Sequence, residues 1–133
     1  METEVKKIYD TNIFMHKRNE IPKKGSIYIT PGIEKELTAK AKRNRDLRSL
    51  LRKFAGRLEV VRFPANSNYN KLTLDSKIQD VSQNLEGLSK DSEPLSRVDT
   101  NMVSIAISND MYLETGDRCA ARTYNAVRHM LSS

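Results

Sequence analysis

Short apolar runs alternate along this chain with longer stretches whose apolar residues recur every three or four positions, the pattern of strands followed by amphipathic helices. Val5 to Tyr9 is rich in strand formers and ends at the polar triplet Asp10-Thr11-Asn12, after which Ile13, Phe14 and Met15 open a helical turn. Ser26 to Thr30 alternates as a second strand. Thr30 and Pro31 then supply a capping hydroxyl and a proline at the first helical position. The pattern predicts a helix that starts at Pro31 and carries Glu34, Glu36, Leu37, Ala39 and Ala41. A further helical stretch from Asp46 sets Leu47, Leu50, Leu51 and Phe54 at spacings of three and four, with Gly56 as its stop.

Leu58 to Phe63 reads as a third strand, closed by Pro64. Asn66, Ser67, Asn68 and Asn70 mark a loop. Leu74, Ile78, Val81 and Leu85 then share one face of a helix that the pattern ends at Gly87, and Ser89 to Ser96, with Pro94, reads as a polar connection. Val98, Met102, Ile105 and Ala106 return to helical spacing. Met111 to Leu113 forms a fourth strand, broken by Thr115-Gly116-Asp117, and Arg118 to Leu131 closes the chain as a helix with Ala121, Tyr124, Val127 and Leu131 on one side. This alternation predicts an α/β fold with a mostly parallel four-stranded sheet covered by helices on both faces. Sites in such sheets gather beyond the carboxyl ends of the strands.

Composition narrows the setting. A chain of 133 residues fits a single domain spanning 1–133, and 38% hydrophobic with 30% charged residues describes a folded globular protein. No apolar run is long enough to span a membrane, and the start of the chain carries no secretory pattern. Cys119 is the only cysteine and His16 and His129 the only histidines, which excludes an internal disulfide and leaves too few ligands for structural zinc. A reducing, cytoplasmic setting follows. The net charge of +6 favours a polyanionic partner.

Against that basic background, the placement of a few acids stands out. Asp10 follows the first strand, Glu36 lies in the helix entered from the second, and Asp117 follows the fourth, so all three belong at one end of the sheet. Asp99 joins them if its helix runs antiparallel to the strands. Each acid also has an ordinary reading: Asp10 and Asp117 as turn residues, Asp99 as a favourable charge at a helix start, Glu36 as a solvated helix residue. Four carboxylates in one pocket repel one another unless a cation holds them, and oxygen-only ligands point to magnesium or manganese. Such an ion polarises a phosphodiester and lowers the pKa of bound water, so the chemistry indicated is in-line phosphodiester hydrolysis.

The order of these motifs resembles the PIN-domain nucleases, including the VapC-like toxins of toxin-antitoxin modules. Ile8-Tyr9-Asp10-Thr11-Asn12 is similar to the family's opening strand and aspartate-x-asparagine signature. Thr30-Pro31-Gly32-Ile33-Glu34-Lys35-Glu36-Leu37 is similar to its second motif, Val98-Asp99 to its third and Leu113-Glu114-Thr115-Gly116-Asp117 to its fourth. The resemblance covers residues 5 to about 120. It implies a three-layer α/β/α fold in which Asp10, Glu36, Asp99 and Asp117 ligate magnesium or manganese, while Asn12 and Thr115 orient carboxylates or water. The implied activity is cleavage of RNA to a 5′ phosphate and a 3′ hydroxyl, with an antitoxin protein or a second copy as possible partners. The family commonly adds a fifth strand after the last helix, for which no segment is legible before Ser133, and residues 65–95 match no part of the pattern.

Other features admit two readings. Lys40, Lys42, Arg43, Arg45, Arg48, Arg52, Lys53 and Arg57 concentrate positive charge on two helical segments, either as an RNA backbone track, with Lys42, Arg45, Arg48 and Arg52 as its contacts, or as a solvated surface. His16 and His129 lack a partner motif and read as surface or packing residues, Cys119 as a small packed residue, and Tyr9, Tyr28 and Tyr112 as sheet residues. A non-catalytic RNA-binding or assembly module of the same fold, and a DNA-directed nuclease, are the competing functions.

Overall fold

The computed structural model describes residues 5–85 and 95–132. Its centre is a four-stranded sheet in the order β3-β2-β1-β4, with every neighbouring pair parallel: β1 Lys7–Tyr9, β2 Ile27–Ile29, β3 Leu58–Val60 and β4 Tyr112–Glu114. Ile8 sits opposite both Tyr28 and Leu113, so β1 and β2 are the inner strands. Their burial follows from that position. Ile8, Ile27 and Ile29 are buried and almost wholly apolar, whereas the edge strand β3 has only partly buried or exposed residues.

Helices connect the strands: α1 Thr11–His16, α2 Pro31–Ala41, α3 Arg45–Phe54, α4 Lys71–Gln83, α5 Arg97–Ser108 and α6 Arg118–Ser132. One continuous core joins them to the sheet through Phe14, Ile33, Leu37, Leu47, Leu74, Ile78, Met102, Val103, Ile105 and Val127. No helix among the described residues is long and apolar enough to cross a membrane.

Local chemistry sets the helix starts. The Thr30 hydroxyl accepts from Ile33 N at 3.3 Å with Pro31 in the first turn, as the sequence indicated. Asn44, Asn70 and Ser96 cap α3, α4 and α5 in the same way. The α5–β4 connection reverses the chain within Asn109-Asp110-Met111, where Asp110 adopts φ 54, a left-handed conformation that aspartate tolerates better than most residues. Arg128 of α6 secures this turn by donating to Met111 O at 3.2 Å and to Asp110 Oδ1 at 2.9 Å, while stacking over the Tyr112 ring at 4.7 Å. So short a connection makes α5 antiparallel to β4, and its first turn lies at the end of the sheet where β4 finishes.

Several expectations need correction. The third strand ends at Val60 because it pairs only with β2; Val61 N still donates to Ile29 O at 2.7 Å, but the chain then leaves the sheet before Phe63. The helix bearing Leu74 and Ile78 stops at Gln83, where Asn84 leaves helical geometry, and Gly87 lies outside the described residues, as does most of the Ser89–Ser96 connection. Gly56 follows α3 without a left-handed φ, so it is no helix-ending glycine of that kind. The inward face of α6 carries Tyr124, Val127 and the partly buried Leu131 as expected, with Ala120 and Thr123 buried where Ala121 was expected, and Tyr124 OH donates to Met111 O at 2.6 Å.

Thr30 is fully buried, and its hydroxyl aligns the entry to α2. Thr30→Ala should lower the unfolding free energy by about 1–2 kcal/mol in urea denaturation followed by helical circular dichroism, with Thr30→Ser recovering most of the loss. Equal stability of all three proteins would show that the cap contributes nothing.

Candidate functional site

The parallel arrangement gathers the carboxyl ends of β1, β2 and β4 at one edge, and the four acids meet there. Asp10, Glu36, Asp99 and Asp117 line one cavity of about 250 Å³ together with Thr11, Asn12, Met15, His16 and Lys40. Asp10 leaves β1 and caps α1, Glu36 projects from the second turn of α2, and Asp117 begins α6 after β4. Asp99 arrives from the first turn of α5. Gly32 sits close to that turn: a Cβ there would lie 3.2 Å from Val98 Cγ1, so a larger residue at 32 would require the Val98 side chain to give by a few tenths of an ångström.

Asp10 is the most buried of the four, at 4% exposure. Its Oδ1 accepts from Thr11 N at 2.7 Å, and its Oδ2 accepts from the Thr115 hydroxyl at 2.6 Å and, more weakly, from Asn12 Nδ2 at 3.4 Å. Asn12 Oδ1 in turn accepts from Gly116 N at 2.9 Å, and Asp10 N donates to Glu114 O at 3.0 Å. Asn12 and Thr115 therefore clamp the β4 loop onto the start of α1, with the Asp10 carboxylate between them. Asp117 Oδ1 accepts from Cys119 N at 2.8 Å and Ala120 N at 3.2 Å, which makes it a helix cap as well as a cavity residue.

Thr11 is the residue that sequence reasoning passed over. Its hydroxyl donates to Glu36 Oε1 at 2.8 Å and fixes a carboxylate that has no local anchor. Only its place between Asp10 and Asn12 hinted at this. His16 is exposed on the rim of the cavity, while His129 is exposed elsewhere, and Cys119 is half-buried. Among the basic residues, Arg48 donates to Ala41 O at 3.2 Å and Lys42 O at 3.0 Å, so its guanidinium covers the end of α2; Lys42, Arg45 and Arg52 are exposed.

Hard, oxygen-only donors suit a divalent cation such as magnesium or manganese. As the side chains stand, however, no three His, Cys, Asp or Glu groups among the described residues form a set that could hold a metal ion. Asp10 and Asp117 are instead engaged by backbone N–H groups. Glu36 Oε2 and Asp117 Oδ2 accept no hydrogen bond among the described residues, which leaves lone pairs for such an ion.

No protein-family model matches this chain, and no curated protein matches it. Among solved structures it is similar to a chain in the crystal structure of VapBC2 from Rickettsia felis bound to a DNA fragment from their promoter. The TM-score is 0.57 and the identity 22%, covering 88% of this chain and 92% of that one. At this identity the likeness carries the fold: the chain has the PIN-like α/β architecture that its motif order implied.

Electrostatics records how closely the acids approach. Asp99 is raised from 3.8 to about 6, first by burial and then by the charge of Asp10, with smaller contributions from Asp117 and Glu36, while the Ser96 hydroxyl pulls it down. Burial also raises Asp10, opposed by Thr115 and Thr11 and reinforced by Glu36 and Asp117. Because the folded-state value of Asp99 lies above its ordinary one, its stabilising contribution is complete below pH 3.8 and is lost as pH rises through about 6. Asp99→Asn should therefore stabilise the chelator-treated protein at neutral pH by roughly 1–2 kcal/mol after solvent screening, a gain that vanishes in acid. Urea titrations of both proteins on either side of that range test this; a gain independent of pH would remove carboxylate repulsion as its cause.

Proposed function

We propose that this chain is a divalent-metal-dependent endoribonuclease in which Asp10, Glu36, Asp99 and Asp117 hold magnesium or manganese. The observation that carries this reading is the convergence of four carboxylates, from four separate segments, on one cavity of a protein with net charge +6. Burial of mutually repelling acids costs stability, as the raised Asp10 and Asp99 values record, and a bound cation reverses that cost.

When bound, the metal supplies positive charge that polarises the phosphodiester and offsets charge building on its oxygens. The chain's own residues do the rest. Thr115 and Thr11 N hold the Asp10 carboxylate in one orientation, and Thr11 does the same for Glu36. Asn12, tied to Gly116 N, keeps the Asp117 segment against α1. A carboxylate on the attacking side accepts the proton of the incoming water, and the exposed cations around the cavity draw in the phosphate backbone. An antitoxin-like protein partner is part of the proposal, on the likeness to the VapBC2 structure, and fits a toxin role beside an RNA-processing one.

One observation favours a second reading. No ready metal-binding triad exists among the described residues, which suits a metal-independent RNA-binding or assembly module. Incubating the chain with labelled RNA and magnesium or manganese separates the two. Cleavage is expected in metal, none in chelator, and a loss on the order of 10²-fold or more for Asp10→Asn and for Asp117→Asn. Cleavage that survives chelator and both substitutions would end the metal mechanism, RNA binding without cleavage would favour the module, and equal cutting of single-stranded DNA would reassign the substrate.

A further inference from the structure

The acidic cavity has one cationic wall. Lys40 lines it beside Glu36, which precedes it by four residues in α2, so both side chains project from the same face of the helix. The same lysine lines a second depression, of about 430 Å³, with Ala39, Lys42 and Arg43. Lys40 thus joins the acids to a basic groove that runs toward the end of α2.

These three cations are available to a ligand. All are exposed, and among the described residues none forms an ion pair. A glutamate four residues ahead of a lysine commonly pairs with it, but Glu36 Oε1 is held instead by the Thr11 hydroxyl. The carboxyl end of a helix would ordinarily repel a phosphate through its exposed carbonyls. Here Arg48 donates to Ala41 O and Lys42 O, which covers that negative end and leaves a cationic surface.

We infer that Lys40, followed by Lys42 and Arg43, forms the track along which a single-stranded nucleic-acid backbone leaves the acidic cavity. Arg48 then acts as a positioning residue, holding the end of α2 in place. The inference rests on the nuclease reading for the identity of the cavity's occupant. Its chemistry requires only a phosphodiester backbone.

The test measures fluorescence anisotropy of a short fluorescein-labelled single-stranded RNA, with single-stranded DNA in parallel. The protein carries Asp10→Asn to prevent cutting and is kept in manganese across a salt titration. Lys40→Ala should weaken binding about fivefold at ~0.1 M salt and reduce the salt slope by ~0.7, with Lys40→Arg restoring both. Lys42→Ala with Arg43→Ala should reduce the slope by ~1.4, and Lys24→Ala, in an exposed loop before β2, should change neither quantity. Unchanged affinity and slope in Lys40→Ala, or an equal loss in Lys24→Ala, would overturn the track. Binding through Lys40 without any cleavage by the parent would sink the nuclease reading and keep this one; cleavage by the parent with unaltered binding in Lys40→Ala would do the reverse.

Discussion

A carboxylate with almost no contact with water needs hydrogen-bond donors, and Asp10 finds its donors on segments that are far apart in sequence. Thr11 N lies next to it, whereas the Thr115 hydroxyl comes from beyond β4. Meeting this requirement draws the β4 loop over the start of α1, where Gly116 N meets Asn12 Oδ1. Asp117 follows one residue later and caps α6. The placement of α6 and the Asp117 carboxylate therefore both depend on how one buried charge at the end of β1 is satisfied. The parallel sheet makes this possible, since only parallel pairing puts the ends of β1 and β4 side by side.

The same arrangement sets stability against site chemistry. A core designed for stability alone would not bring Asp99 and Asp10 together, because burial and repulsion raise both. Compensation comes from elsewhere in the fold. Ser96 caps α5, Val98 packs closely against Gly32, and Arg128 braces the turn into β4 through two hydrogen bonds and a stacked ring. These features hold Asp99 where its own electrostatics oppose it. Strain concentrated at one place and balanced by packing elsewhere is characteristic of functional sites.

Most of this was legible where the signal is local. Strand ends located Asp10 and Asp117, and Thr30-Pro31 fixed the start of α2 and so the position of Glu36. Asp99 was harder, because its direction follows from the tertiary course of α5, which packs its start closely against Gly32. The Thr11–Glu36 hydrogen bond spans 25 residues and has no sequence pattern. β3 ran short because an edge strand is as long as its single partner, whatever its propensity. Arg48 looked like any other surface cation; only the fold reveals that it completes the end of the preceding helix.

Around the carboxyl edge of the sheet charge is sorted by depth, and net charge alone cannot express that. Four acids occupy the recess at the carboxyl edge of the sheet, where burial makes a bound cation most valuable, and Lys40 stands at its wall with the solvated Lys42 and Arg43 in the depression beside it. A polyanion approaching such a surface meets attraction first and repulsion only on entering the recess. On the proposed nuclease reading, a phosphodiester would enter fully only with a cation already on the acids, so the recess would admit substrate in the metal-loaded state and reject it otherwise. A simple binding surface has no need of that recess. Its presence beneath a basic rim is what makes catalysis the more economical account of the four acids than helix capping or turn formation taken one residue at a time.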